Sequence, residues 1–135
     1  MARQVVFTVD ARSPLPEQRE TLLARHEALM HEVAERRDLT LNVRVDSDRQ
    51  PVRCDPETVA VIATAAEEAG VPAMRMTSGA VHDAMQMAEM ARVAMIFVRS
   101  RGGISHSPEE FTAAEDAAAG IEVLARALHA LAYRA

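Results

Sequence analysis

The hydrophobic period changes twice within the first 46 residues, and this limits the local architecture more than any other feature of the chain. From Gln4 to Asp10 it is two, with Val5, Phe7 and Val9 on one face and Val6, Thr8 and Asp10 on the other, the pattern of a strand. Ser13-Pro14-Leu15-Pro16 interrupts it. Between Glu17 and Arg37 the period becomes helical, with Leu22, Leu23, His26, Leu29, Met30 and Val33 on an otherwise charged segment. Leu39, Leu41, Val43 and Val45 then alternate strictly with Thr40, Asn42, Arg44 and Asp46, which predicts a strand with one solvated face. The expected order is strand, helix, strand.

The polar run Asp46-Ser47-Asp48-Arg49-Gln50 marks a boundary, and the texture then changes. Asp55 as N-cap, Pro56 at the first helical position and Gly70 as the closing residue bracket a helix of about four turns. Val71 to Met76 is expected as a short strand, Ala84 to Met90 as a helix, and Ala94 to Val98 as a buried parallel strand because its apolar run is continuous. Two capping-box patterns, Ser107 with Glu110 and Thr112 with Glu115, precede a last helix whose Ile121, Leu124, Leu128 and Leu131 repeat at helical spacing. The fold class is α/β. A strand–helix–strand part (residues 1–47) is followed by a helix–strand–helix–strand–helix part (48–135) in which right-handed crossovers join parallel strands.

Composition narrows the function classes. Of the apolar residues 26 are alanine, which favours helices packed closely on their neighbours. The net charge is −5, every basic side chain is arginine, and aromatics amount to three Phe and one Tyr. Such a chain has neither the electrostatic footprint nor the stacking platforms of a nucleic-acid binder, and no basic patch for a membrane surface. One cysteine, Cys54, cannot build an intrachain disulfide or a thiolate metal cage. No apolar run approaches about 18 residues and the start lacks a signal-peptide pattern, so a soluble cytoplasmic protein is expected.

Four segments carry residue types that packing alone does not explain: Thr8-Val9-Asp10-Ala11-Arg12, Thr77-Ser78-Gly79-Ala80-Val81-His82-Asp83-Ala84, Met95-Ile96-Phe97-Val98, and Gly102-Gly103-Ile104-Ser105-His106-Ser107-Pro108-Glu109-Glu110. Two of them place a histidine just beyond an expected buried strand, where open α/β sheets assemble their sites. His106 is either a metal ligand or a loop histidine bonding near a helix start. His82 with Asp83 either orients a ligand or pairs a solvated imidazole with a capping carboxylate, Gly79 allowing a tight turn before them. Arg12 either clamps a carboxylate through two parallel hydrogen bonds or sits in a surface pair with a neighbouring aspartate. His26, His31 and His129 read as surface or interface histidines, and the methionines from Met74 to Met95 as adaptable packing. Cys54 lacks a neighbouring base.

Taken together, these segments resemble the C-terminal part of the hydantoinase/carbamoylase family of zinc-dependent amidohydrolases. The block from Met95 to Glu110 carries most of the likeness, and Ser78–Ala84 and Phe7–Arg12 stand in the family's order and spacing. The resemblance implies that His106 is a zinc ligand, that His82 lines the substrate site and that Arg12 binds the substrate carboxylate. Residues 1–47 would be the second half of a lid and dimerisation domain, and 48–135 the end of the catalytic domain. Val81 stands where the family usually has glycine, and its side chain is expected to crowd the turn that presents His82. The family's other zinc ligands and its general-base glutamate have no counterpart in this sequence.

The expectation is therefore a C-terminal fragment or truncated relative of an amidohydrolase that cleaves linear amide or ureido C–N bonds, inactive alone. It would act with a complementing N-terminal catalytic portion, or remain a non-catalytic binding module that forms a homodimer. A small metal enzyme built on His82, Asp83 and His106 is the third possibility.

Overall fold

The computed structural model describes residues 3–133. The chain divides into two compact units, Met1–Arg53 with Thr77–Ala80 and Cys54–Met76 with Val81–Ala135. Its helices are α1 (Pro16–Arg36), α2 (Pro56–Glu68), α3 (Ala84–Met87) and α4 (Ala114–Ala132), with a 3-10 turn at Arg101–Gly103.

In the first unit, Pro16 opens α1 at a position where its missing N–H costs nothing. The helix ends on Asp38, whose left-handed φ of 51° takes the place glycine commonly fills, and the Leu39 N–H returns to the Ala34 carbonyl at 2.9 Å. The inner line of α1 runs through Arg19, Leu22, His26, Met30, Val33 and Ala34. Leu23 and Leu29, expected in the apolar stripe, are exposed. Arg19 is the surprise: its guanidinium is buried and paired with Asp48, a carboxylate from the polar run that reads as a mere boundary.

The second unit is built on α2 against α4. Asp55 caps α2, accepting from the Thr58 N–H at 2.8 Å and the Thr58 hydroxyl at 2.6 Å. Gly70, at φ 66°, closes it, and the Val71 N–H bonds the Ala66 carbonyl at 2.9 Å. Val61, Ala65 and Ala66 meet Val123 and Ala127, with Ile62, Ala69, Val71, Ile96 and Leu131 packed around them. The i, i+4 rows Val61–Ala65–Ala69 and Val123–Ala127–Leu131 form the ridges of this contact, and alanine on both helices lets the backbones approach closely. Burial of each valine contributes about 1.5–3 kcal/mol.

Two expectations are corrected here. The stripe of α4 is out of phase: Ile121, Leu124 and Leu128 are exposed, while Val123 and Ala127 face α2. Both stripes have helical spacing, and the small residues win because they permit the tighter contact. The capping boxes do not form as read. Helix α4 starts one residue later, on Ala113 without a side-chain cap, and Ser107–Glu110 is a turn with Pro108 at its second position, closed by Glu110 N–H to the Ser107 carbonyl at 3.0 Å.

The described residues contain no assigned strand, and the expected strand arrangement is not seen in them. The segments 4–10, 39–45, 71–76 and 94–98 carry no ladder. Val5, Val6, Phe7, Val43 and Val45 are exposed, and in 94–98 only Ile96 reaches the core, with Phe97 49% and Val98 41% exposed. Alternation fixes which side chains share a face; a strand also needs a neighbour to satisfy its N–H and C=O groups.

Candidate functional site

His106 sits at the tip of a loop closed at its base by Arg101 N–H to the Phe111 carbonyl at 2.8 Å, with the Arg101 guanidinium 4.6 Å above the Phe111 ring. Gly102 and Gly103 take successive left-handed conformations, φ 67° and 70°, which only glycine adopts without strain. The Ser100 hydroxyl bonds the Ile104 carbonyl at 2.7 Å. His106 itself has φ 58°, uncommon for a residue with a Cβ. Its backbone N–H donates to Glu110 Oε2 at 2.8 Å, which holds the turn and leaves the imidazole exposed. Glu109 accepts from the Ser107 hydroxyl, and that bond, followed by a backbone N–H, holds its carboxyl below the usual glutamate range. The two carboxylates next to His106 thus serve the loop.

His82 is half-buried, its ring edge-on to Phe97 with centroids 5.5 Å apart. Its carbonyl accepts from Met85 N–H at 2.9 Å, the start of α3, whereas the Asp83 side chain does not cap that helix. Gly79 has no left-handed φ, and a Cβ there would meet nothing within 4 Å, so the turn does not depend on glycine. Val81 is exposed, and the crowding expected of its side chain is not seen among the described residues.

In the other unit, Arg12 Nε bonds both Asp10 oxygens at 2.9 and 3.1 Å, Nη2 bonds Oδ2 at 2.5 Å, and Nη1 donates to the Gly79 carbonyl at 2.6 Å. The guanidinium holds the Asp10 carboxyl below its ordinary value through these hydrogen bonds, with charge attraction a smaller contribution. The Arg12 guanidinium is therefore already paired with a carboxylate, and that carboxylate is the chain's own. Asp10 belongs to the segment singled out in the sequence; its partnership is legible in the i, i+2 spacing, which puts both side chains on one face of an extended segment.

A catalytic zinc takes about three protein ligands and an open position. No group of three or more His, Cys, Asp or Glu side chains able to hold a metal occurs among the described residues. The donors here, one exposed imidazole flanked by carboxylates engaged in a turn, do not fit a zinc site on this chain alone. Two shallow grooves of about 310 Å³ flank α4, lined in part by Val61, Ala65 and Arg126 and by Ile96, Val98 and Gly120; neither is lined by Arg12, His82 or His106.

An N-carbamoyl-L-amino-acid amidohydrolase of Paenarthrobacter aurescens is 37% identical over 95% of this chain and 31% of its own length. One from Rhizobium meliloti is 38% identical over 93% of the chain and 30% of its own length. An allantoate deiminase of Arabidopsis thaliana is 37% identical over 90% and 25%. The chain thus spans about three tenths of the length of the curated relatives it matches. A sequence model of peptidase family M20/M25/M40 matches residues 4–130. The chain belongs to peptidase family M20/M25/M40, within its carbamoylase and allantoate amidohydrolase group.

Proposed function

We propose that this chain is the C-terminal portion of a zinc-dependent amidohydrolase cleaving linear amide or ureido C–N bonds, of N-carbamoyl amino acids, allantoate or similar substrates, and that it is inactive alone. The observation that carries this is the paired coverage: 37% identity across 95% of the chain, yet only 31% of the carbamoylase it matches. In the completed site His106 would be one zinc ligand, His82 would line the substrate pocket and Arg12 would hold the substrate carboxylate. The metal would supply an activated water; this chain's residues would bind and orient the substrate.

The fold reading goes with it. Residues 1–47 would be half of a ferredoxin-like lid, and 48–135 the end of an α/β catalytic domain whose unpaired segments become strands when neighbours supply the missing hydrogen bonds. A cytoplasmic location accords with the single cysteine; no helix among the described residues is long and apolar enough to cross a membrane. The second reading, a non-catalytic binding or oligomerisation module that forms a homodimer, is favoured by the exposed apolar side chains of Val5, Phe7, Val45, Ile121 and Leu128.

The test is complementation. The chain is assayed for hydrolysis of N-carbamoyl amino acids and of allantoate, alone and mixed with the N-terminal two thirds of a carbamoylase relative. Activity confined to the mixture and lost with His106→Ala is the expected result. Hydrolysis by the chain alone, or a mixture that is inactive while the two pieces bind each other, refutes it, the latter in favour of the binding module.

A further inference from the structure

A carboxylate arriving from solution binds arginine best through two parallel N–H donors. In Arg12 every guanidinium nitrogen is already engaged, Nε and Nη2 by Asp10 and Nη1 by the Gly79 carbonyl. The two occupants differ in how readily they leave. The Gly79 carbonyl is part of the backbone, fixed with its segment. Asp10 is a side chain 65% exposed, four residues from the nearest proline, with water as a ready alternative partner.

Resting on the reading of Arg12 as the receptor for a substrate carboxylate, we infer that Asp10 is an internal competitor for that receptor and thereby a specificity-determining residue. A ligand carboxylate gains only the difference between its own pairing with Arg12 and that of Asp10. More of the binding then falls on the rest of the ligand, and a small carboxylate with little else to offer is held more weakly than Arg12 alone would hold it. The i, i+2 spacing means that the extended segment itself delivers the competitor, with no distant packing needed.

The experiment is a calorimetric and NMR titration of the full chain with N-carbamoylglycine, using its uncharged amide as control, for the wild type, Asp10→Asn, Arg12→Gln and the double variant. Asp10→Asn keeps an acceptor for Arg12 but removes the charge. It is expected to tighten N-carbamoylglycine binding about two- to fivefold, the worth of one exposed ion pair, without changing the amide control. Arg12→Gln is expected to abolish the carboxylate dependence in both backgrounds. If Asp10→Asn weakens binding or leaves it unchanged while Arg12→Gln still abolishes it, the competition is refuted and Asp10 is an orienting partner. If Arg12→Gln has no effect, or if neither wild type nor Asp10→Asn binds, the reading of Arg12 itself fails.

Discussion

Gly120 lies in the middle of α4, where glycine costs about 1 kcal/mol relative to alanine. By propensity alone Gly120→Ala should stabilise the chain by that amount. The structure predicts otherwise, because a Cβ at this position would stand 2.6 Å from Val98 Cγ2, whereas ordinary contact begins at 3.4 Å. Valine is branched at Cβ and stiff at χ1, so relief requires movement of the 94–98 segment or of α4. Overpacking of this kind costs about 1–3 kcal/mol. The net effect in the wild-type background is a loss of about 0–2 kcal/mol. In a Val98→Ala background the obstacle is gone and the same substitution should stabilise by about 1 kcal/mol. Urea unfolding followed by far-UV circular dichroism measures both, with the slope constant so that midpoint shifts report stability. The cycle should return a coupling of about 1–3 kcal/mol. Equal effects of Gly120→Ala in the two backgrounds would refute the packing of residue 98 on α4.

Other outcomes follow from single contacts. Asp55→Ala removes the α2 cap and should cost about 1 kcal/mol, while Asp55→Asn should cost a small part of that, both read by the same unfolding assay. Asp48→Ala leaves the buried Arg19 guanidinium without its counter-ion and should destabilise the first unit more than Arg19→Met, which removes the charge and keeps most of the packed stem; amide exchange along α1 reports the difference. Asp10 carries a lowered pKa in the folded chain, so its contribution is present above the unfolded value and is lost as pH falls through the folded one. Carboxyl carbon shifts should show Asp10 titrating below an ordinary aspartate, and Arg12→Gln should return it to that value.

What was legible in the sequence was what local chemistry decides. Asp55-Pro56 and Gly70 delimit α2 because capping and a left-handed closing residue act within a few positions. The end of α1 depends on the same physics, with Asp38 in place of glycine. What was not legible depends on the partner. The phase of α4 is set by which of two neighbouring stripes meets the alanines of α2. The Arg19–Asp48 pair joins positions 29 apart, and nothing local distinguishes Arg19 from a solvated arginine. The alternating segments announce faces to be covered, and pairing requires neighbours that the described residues do not provide. At the site, the glycines of the His106 loop were visible as glycines and the Arg12–Asp10 pair as an i, i+2 spacing, whereas the use of Glu109 and Glu110 to hold that loop emerges only with the fold.

The central claim is that this chain brings a single imidazole to a metal centre and cannot hold the metal unaided. Zinc titration of the purified chain against a competing chelator, with His106→Ala in parallel, tests it most directly. The account predicts weak binding, far below one tightly held ion per chain, with the residual affinity reduced by His106→Ala. One zinc per chain that resists the chelator, retained or lost on that substitution, would contradict it.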